Sequence, residues 1–600
     1  MLFELLCNKI ISLFLVIGIP LIYNYKHNLF NYKPKQYKKI KPHKVYTNRA
    51  DIDKDRYSYR KIPNNIDVIV IGSGIGSLSC AAYLSRVGKK VLVLEQHYVA
   101  GGCMHSFEEK GIEHETGIHY VGNIEKRGFI LDLICDTPIE WCKMGDKTNG
   151  VYDEIYLKDK RYLFRAGEEN FIQDLVAKFP DEETNIKNYI NLVKKIASNN
   201  LFIRLKVVKS VFIQNIIKLY FKYWNTDYYK YVNMSAYEGI SLFTNNEELR
   251  AVLASQFGDY GITPKKATFY IHSIIVNHYL EGGYFPKGGS SVIAKKIIPV
   301  IEKSGGRVLT GKGVSEIIRD ENGVIGVKMD NDDNIYADKV VSGVGLNTTF
   351  YKLLNDNYDK NIIDKFRNIY DNIGHSTSFI YCFVNLKGSP DELELRDSNL
   401  WIYQDTDYDT LFETFEKDIL NNPMPLFIAC SCAKDSDWSN RYPNESNAIL
   451  LCMAKKEWFE EWENEKCMKR NIEYKELKNK MGLRMIEEGL YKYYPKTIGK
   501  VSHFEVGTPL TTQHYLASLN GEGYGLNSNK YRFSECYDLK PDTGINNLYI
   551  TGQDICSMGF TGSLMGGILT AHSILGYGTV LDILTNRNLM NDLIYLDRNK

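Results

Sequence analysis

A stretch of 29 residues near the start of the chain constrains the fold more than any other feature of the sequence. It begins with the apolar, β-branched run 67–71, passes through a glycine-rich turn and a helical segment at 78–87, and ends with the apolar run 91–94 and Glu95. Short apolar runs on either side of a helix are typical of buried parallel strands. The stretch therefore predicts an α/β fold with a doubly wound parallel sheet.

The glycine-rich turn has the composition of a dinucleotide-binding loop. Gly72 permits the tight turn, Gly74 lets a pyrophosphate approach the backbone, and the helix that follows presents free N–H groups. Glu95, which is 23 residues after Gly72, can accept hydrogen bonds from ribose hydroxyls. The pattern predicts a dinucleotide site but leaves FAD, NAD and NADP open; its loop residues are Gly72, Ser73, Gly74, Gly76 and Ser77, the last replacing a third glycine.

The C-terminal part of the chain carries a second pattern of this kind. Residues 547–554 form an apolar strand that ends in Gly552, Gln553 and Asp554, and the segment 559–575 is helical in character and rich in small residues. An acid at a strand end before a glycine-rich helix start can hold a hydroxyl and a pyrophosphate. We predict that Gly552 and Asp554 bind the same cofactor; the alternative is a core helix that packs closely through its small residues.

Charge and residue spacing exclude several other classes of protein. Among 600 residues, 74 Lys and Arg balance 73 Asp and Glu, so no nucleic-acid partner is expected. The twelve cysteines show no CxxC spacing, which indicates buried thiols and no metal site. Residues 306–312 match the spacing of an ATP-binding P-loop, but Gly313 stands where that loop needs Ser or Thr, so an ATPase is not predicted.

The N-terminus and one internal segment indicate contact with a membrane. Residues 10–23 are uncharged and apolar, but these 14 residues are fewer than the ~20 that a membrane span needs, and lysines follow. An uncleaved anchor is favoured over a cleaved signal peptide, with the lysines keeping the body on the cytoplasmic face. The basic, aromatic-rich segment 201–224 has no acidic residue, and is either a membrane-interface helix or a core helix with a solvated edge.

Two stretches downstream of the glycine-rich turn resemble a known family. The sequences EQHYVAGGCMHSF at 95–107 and ETGIHYVG at 115–122 are similar to the flavoprotein superfamily of phytoene desaturases, carotenoid isomerases and amine oxidases. The likeness spans roughly 66–575 and is dense at both ends and over 284–345. It is strongest to the members that saturate the 13,14 double bond of all-trans-retinol, which share the order Thr-Gly-Gln-Asp found at 551–554.

This resemblance implies that the dinucleotide is FAD, with NAD or NADP as the alternative. It places Gln96, Gly101 and Gly102 along the cofactor and the backbone of Val314 against the adenine. It implies a discontinuous Rossmann-type FAD-binding domain with an inserted α+β substrate-binding lobe, and strands at 323–328 and 339–345 that return to the FAD-binding domain. The expected division is an anchor or signal segment (1–24), a basic linker (25–63), FAD-binding parts (64–150, 284–350, 536–580), lobe parts (151–283, 351–535) and a tail (581–600).

The resemblance also implies the reaction, the reduction of an apolar polyene or retinoid. Such a reaction joins a hydride from reduced flavin and a proton to the two alkene carbons. His119 and Tyr120 lie in the segment that, by resemblance, runs past the flavin ring, and they are the predicted catalytic residues. The alternatives are a carotenoid-type isomerase or desaturase and a non-catalytic membrane-bound flavin- or lipid-binding protein.

The electron donor and the cellular location complete the expectations. NAD(P)H could reduce the flavin, but no second dinucleotide-binding pattern is evident, so the donor is left open. The N-terminal segment and the resemblance together predict a location at the endoplasmic reticulum membrane.

Overall fold

A computed structural model describes residues 38–39, 51–146, 149–199, 201–206, 208, 211–224, 227–354, 360–576 and 594–595. The predicted N-terminal anchor (1–24) and the predicted tail apart from 594–595 lie outside these residues. Within the described part of the chain, no helix is both long and apolar enough to span a bilayer.

A five-stranded parallel sheet forms the centre of the cofactor-binding part. Each strand is short and buried, as expected for a sheet that is covered on both faces. Alternate residues of the first strand enter two different cores, Val68 and Val70 on one face and Ile69 and Ile71 on the other. The strand order across the sheet is Arg307–Leu309, Val91–Leu94, Val68–Ile71, Lys339–Ser342 and Leu548–Ile550.

Three long helices pack around this sheet. Helix Ile75–Arg86 follows the first strand and packs between Ser291–Lys303 and Gly559–Leu575. Small residues allow a very close approach, since a Cβ on Gly567 would lie 1.9 Å from Ser79 Oγ. Two short helices on this side are Ile124–Arg127 and Phe129–Asp132.

A seven-stranded mixed sheet forms the second lobe. Only the pairing of Asn399–Tyr403 with Val151–Leu157 is parallel. Separate apolar cores lie against the two faces of this sheet. The strand order is Val501–Gly507, Ser378–Lys387, Glu445–Ala454, Leu426–Ala429, Asn399–Tyr403, Val151–Leu157 and Lys160–Arg165.

Many helices cover this second sheet and connect it to the first. The α-helices are Glu168–Lys178, Glu183–Ala197, Leu201–Lys206, Val211–Tyr223, Asp227–Val232, Ala236–Ser241, Glu247–Ala254, Phe269–Tyr279, Lys360–Ile373, Tyr408–Lys417, Ser431–Lys434, Trp438–Arg441, Ile472–Met485, Tyr491–Tyr493, Pro509–Leu516 and Lys530–Ser534. Shorter or wider helical turns are Ile52–Lys54, Tyr59–Lys61, Gly102–Met104, Pro180–Glu182, Ser255–Tyr260, Thr348–Leu353, Lys456–Trp462, Ile486–Leu490 and Pro495–Thr497.

Four small antiparallel sheets complete the part of the fold that the structure describes, and one of them contains a predicted strand. The predicted strand at 323–328 exists as Gly323–Met329, but it belongs to a separate antiparallel sheet with Val314–Asp320 and Asn334–Tyr336. Its apolar run is consistent with either sheet, because periodicity does not show which strand is the partner. The other small sheets are Val121–Gly122 with Gly283–Pro286 and Trp141–Lys143, Ser106–Glu109 with Ile112–Glu115, and Lys38–Lys39 with Ile594–Tyr595.

The strands of the parallel sheet come from three separate stretches of the chain. These stretches fall within 64–150, 284–350 and 536–580, while the seven-stranded sheet is built from 151–165 and 378–507. The domain boundaries themselves stay a prediction.

Candidate active site

One continuous cavity joins the parallel sheet to the seven-stranded sheet. Its volume is about 480 Å³, within the range of ligand pockets. At one end the glycine-rich turn after Val68–Ile71 forms the wall, and at the other end aromatic side chains from the seven-stranded sheet do so. The carboxyl ends of parallel strands are the usual ligand-binding edge of such a sheet.

Two of the three glycines in the glycine-rich turn lie where the packing or the backbone conformation favours glycine. Gly72 has a φ of +85°, which is in the left-handed region. A Cβ on Gly76 would lie 2.5 Å from the Cα of Gly552, so the N-terminal and C-terminal cofactor patterns meet here. Gly74 is different, because nothing lies within 4 Å of the position that its Cβ would take. A side chain at Gly74 would therefore enter the cavity.

Glu95 holds the turn in place from the neighbouring strand. Its carboxylate accepts hydrogen bonds from the Ser73 amide at 2.9 Å, from Ser73 Oγ at 2.6 Å and from the His97 amide at 2.8 Å. Burial raises the pKa of Glu95 above its ordinary value. Glu95 and Gln96 both line the cavity, as their predicted roles require.

The predicted glycine pair lies directly on the turn. Gly101 donates its amide to Ser73 Oγ at 2.9 Å, and a Cβ on Gly102 would lie 2.9 Å from the Cα of Gly74. Both glycines have positive φ, +129° and +54°, and both line the cavity. Ser77 Oγ lies against Gly343, where a Cβ would approach it to 1.9 Å, so the serine fits because its partner is a glycine.

The C-terminal segment closes the same end of the cavity. Asp554 accepts the Leu346 amide at 2.8 Å and the Leu526 amide at 3.0 Å, so its carboxylate ties three segments together. Helix Gly559–Leu575 begins at the cavity, and Val314 also contributes to the wall. All the predicted cofactor-binding residues are thus brought together around one space.

This end of the cavity fits the pyrophosphate part of FAD. Two helices, Ile75–Arg86 and Gly559–Leu575, start here, and neither N-cap residue makes a side-chain hydrogen bond. The Gly559 amide contacts Gln553 Oε1 at 3.4 Å, whereas the first N–H groups of Ile75–Arg86 can bind an anion. Gly74 leaves the backbone open to close approach, and Gly101 and Gly102 let their segment pack on the turn beside it. Gly72, Ser73, Gly76, Gly552 and Asp554 would shape and hold this cradle.

The two predicted catalytic residues lie in the wall of the cavity between its two ends. The His119 ring packs on Phe427 with centroids 5.5 Å apart. The main-chain carbonyl of His119 accepts a hydrogen bond from Lys434 Nζ at 2.9 Å. Burial and the nearby Lys434 cation lower the pKa of His119 to about 3, so the ring is uncharged at neutral pH. Tyr120 stacks on Tyr279 at 4.1 Å, and burial raises its pKa well above the ordinary value. Their catalytic roles stay a prediction.

Three polar residues of the site were not found from the sequence. Asp259 lines the cavity and contacts Tyr120, Lys434 lies behind His119, and Arg532 is fully buried beneath the C-terminal segment. Each lies in a part of the chain without a motif; Asp259 and Lys434 are placed by the seven-stranded sheet and its covering helices, and Arg532 by helix Lys530–Ser534. No spacing in the sequence indicates them.

A cofactor cradle that is continuous with the apolar end of the cavity, here called the chamber, is typical of a flavin-dependent oxidoreductase. The family model of flavin-containing amine oxidoreductases matches residues 78–575, and the chain therefore belongs to that family. The predicted FAD cofactor, the oxidoreductase class and the FAD-binding α/β fold are confirmed.

Individual relatives show where in the superfamily the likeness is strong. An all-trans-retinol 13,14-reductase of Danio rerio is 36% identical over 535 residues, covering 86% of this chain and 87% of the relative. An inactive all-trans-retinol 13,14-reductase of the same organism is 30% identical over 542 residues, covering 88% and 89%. A solved putrescine oxidase bound to putrescine has a TM-score of 0.55 at 14% identity, covering 86% of this chain and 99% of that one, which shows the shared fold. The predicted resemblance is confirmed.

Proposed function

We propose that this chain is an FAD-dependent reductase that saturates the 13,14 double bond of all-trans-retinol. The observation that carries the proposal is the single cavity that connects the FAD cradle to a chamber of apolar side chains. The similarity to retinol 13,14-reductases over most of the chain supports the choice of substrate.

The chamber suits a long, flat hydrocarbon. Its walls come from the seven-stranded sheet and from helix Phe269–Tyr279, and they are mostly aromatic or aliphatic. Such walls exclude water and position a polyene through dispersion and burial of apolar area. Among the residues that contribute are Ile271, Ile275, Phe379, Tyr381, Trp401 and Phe427.

The chain's own residues orient the substrate and supply the proton. Once reduced, bound FAD supplies the hydride. An unactivated polyene accepts a hydride poorly, so a proton must reach the other alkene carbon from an acid in the chamber wall. The aromatic walls keep this step dry and so prevent loss of the proton to bulk water.

The product mass tests the proposed function directly. The holoenzyme is reduced with dithionite without oxygen, incubated with all-trans-retinol, and the retinoids are analysed by mass. A gain of two hydrogens supports the proposal. An unchanged mass with an altered elution time would indicate an isomerase, and unaltered retinol would indicate a flavin- or lipid-binding protein. The measurement matters because one relative at 30% identity is named inactive.

We also propose that helix Val211–Tyr223 docks on an anionic membrane. Phe212, Leu219 and Tyr223 are exposed by 73%, 52% and 63% and repeat at a spacing that puts them on one stripe of the helix. Lys222 is exposed beside them. Apolar side chains in the lipid and lysines at acidic head groups are the usual arrangement of an interfacial helix.

The position of this helix favours delivery of an apolar substrate from the membrane. Gln214 Nε2 donates to the carbonyl of Leu205 at 3.1 Å, which joins the docking helix to helix Leu201–Lys206. That helix contributes Ile203 to the cavity wall. A location at the endoplasmic reticulum membrane, as expected from the sequence, is part of this proposal.

Vesicle binding tests the docking helix. The double variant Phe212→Glu/Leu219→Glu should bind phosphatidylserine vesicles at least about tenfold more weakly than the natural chain, because two apolar side chains are lost from the interface. The control Ile472→Glu/Ile498→Glu changes two equally exposed apolar residues, 65% and 61%, outside the helix. Equal vesicle binding by both double variants would contradict the proposal.

A further inference from the structure

One buried and one partly buried carboxyl group share one tyrosine hydroxyl in the chamber wall. Tyr120 Oη lies 2.7 Å from Asp259 Oδ2 and 3.2 Å from Asp153 Oδ2. Asp153 is on strand Val151–Leu157 and is completely buried, whereas Asp259 is in the turn Ser255–Tyr260 and lines the cavity. Only Asp259 of the two is therefore within reach of a molecule in the chamber.

The hydrogen bonds assign the protons within this group. Asp153 accepts from Asn399 Nδ2 at 2.9 Å and from Gln256 Nε2 at 2.8 Å, which suits an ionised carboxylate. Lys434 Nζ donates to Asn399 Oδ1 and so fixes the direction of that amide. A tyrosine hydroxyl carries one proton and can donate it to one carboxyl only. When Tyr120 donates to Asp153, its contact with Asp259 is a hydrogen bond only if Asp259 is protonated, and Asp259 is the carboxyl without amide donors in these contacts.

The electrostatics also indicate that Asp259 is the weaker acid of the two carboxyl groups. Burial raises the pKa of Asp153 to about 7, and the amide donors oppose that rise. Burial, together with the charge of Asp153, raises the pKa of Asp259 well above its ordinary value. Both effects favour a proton on Asp259 over one on Asp153.

We propose that Asp259 protonates the polyene and that ionised Asp153, acting through the Tyr120 hydroxyl, keeps that proton on Asp259. This rests on the proposed function. The Asp259 O–H bond breaks and a C–H bond forms at one alkene carbon, while the other carbon takes a hydride from reduced FAD, which becomes oxidised. Asp259 is left as a carboxylate and recovers its proton from water that enters the cavity when the product leaves.

The other titratable groups near this position are either poor donors or do not reach the chamber. Lys434, whose pKa burial lowers to about 8, is not among the residues that line the cavity, and its ammonium donates to the His119 carbonyl and to Asn399 Oδ1. His119 is uncharged, because burial and Lys434 lower its pKa to about 3. The surrounding tyrosines hold their protons too tightly, since burial raises the pKa of each well above the ordinary value. The groups that face Asp259 and Asp153 are Tyr120, Tyr152, Tyr260, Tyr279, Tyr403, Tyr524 and Lys434.

Asp259→Asn is the principal test, because it keeps the shape and the neutral charge of a protonated carboxyl. We expect FAD content and KM for retinol close to those of the natural enzyme, and a kcat lower by about a hundredfold or more, the usual contribution of a general acid. Tyr408→Phe is the control, since its buried hydroxyl donates to the Ala251 carbonyl outside the cavity. A kcat within twofold of the natural enzyme in Asp259→Asn would overturn the proposal.

The pH profile tests Asp153 as a positioning residue. Only protonated Asp259 donates, so kcat should be highest at low pH and fall as pH rises through the pKa of Asp259. Asp153→Asn removes the charge that raises this pKa, so the fall in kcat should move to lower pH. An unmoved profile would contradict the role of Asp153.

An infrared measurement separates this proposal from the proposed function. At neutral pH the protein without retinol should show a carboxylic acid C=O band that Asp259→Asn removes. Its absence in the natural protein would overturn the proposal whatever the activity. If the band is present but the natural enzyme forms no saturated retinol, the proposed function fails and the protonation of Asp259 stands.

Discussion

Gly74→Val should give a folded protein that binds FAD at least about tenfold more weakly than the natural chain. Nothing in the protein lies within 4 Å of the new Cβ, and the backbone at Gly74 has φ −61° and ψ 168°, which any residue adopts. The side chain instead enters the space where the cradle would hold the pyrophosphate. Flavin absorbance per polypeptide and the thermal midpoint of the cofactor-free protein measure the two effects.

Gly76→Val is the matched comparison for this prediction. Its Cβ would lie 2.5 Å and 2.9 Å from the Cα and N atoms of Gly552, and the backbone cannot move away cheaply. This variant should lose both FAD and stability, whereas the unfolding free energy of cofactor-free Gly74→Val should change by less than about 1 kcal/mol. A Gly74→Val protein with normal FAD content would contradict the location of the cradle.

Arg532→Met should lower the unfolding free energy by about 3 kcal/mol and release FAD at the same time. The Arg532 guanidinium is fully buried and donates to the carbonyls of Leu526 and Gln553, each at 2.6 Å. Methionine fills the space but leaves these acceptors without a donor. One of the segments held by Arg532 contains Asp554, and the other donates the Leu526 amide to the Asp554 carboxylate. Loss of Arg532 should therefore loosen the cofactor site together with the fold.

Arg250→Met is the control variant for Arg532→Met. Arg250 also donates to a main-chain carbonyl, that of Thr244 at 3.0 Å, but it is only partly buried and distant from the cavity wall. Chemical denaturation should show a change below about 1 kcal/mol for this variant. Equal losses of stability in the two variants would contradict the specific role of Arg532.

The cofactor-binding end of the molecule could be predicted from the sequence because it depends on residues that are close together in the chain. Backbone approach to a phosphate needs glycines at fixed spacing, and a buried strand on either side needs apolar, β-branched residues. The roles of Gly72, Gly74 and Glu95 can therefore be inferred from the sequence alone. The packing of Gly76 on Gly552 joins two such local patterns across the fold.

The substrate end could not be predicted in the same way. Asp153, Asp259 and Lys434 are far apart in the chain, and what brings them together is the seven-stranded sheet with its covering helices. A buried acid in a helical turn has the same local sequence whether it donates a proton or only stabilises the fold. The sheet to which Gly323–Met329 belongs could not be read from the sequence for a similar reason, since strand pairing is a long-range property.

The most direct test of the central claim is a single-turnover absorbance measurement. The purified holoenzyme is reduced without oxygen, mixed with one equivalent of all-trans-retinol, and followed until the oxidised flavin spectrum returns. We predict that one 13,14-saturated retinol forms for each flavin that is reoxidised. A reduced flavin that persists in the presence of retinol, or one that is reoxidised without saturated product, would contradict the account.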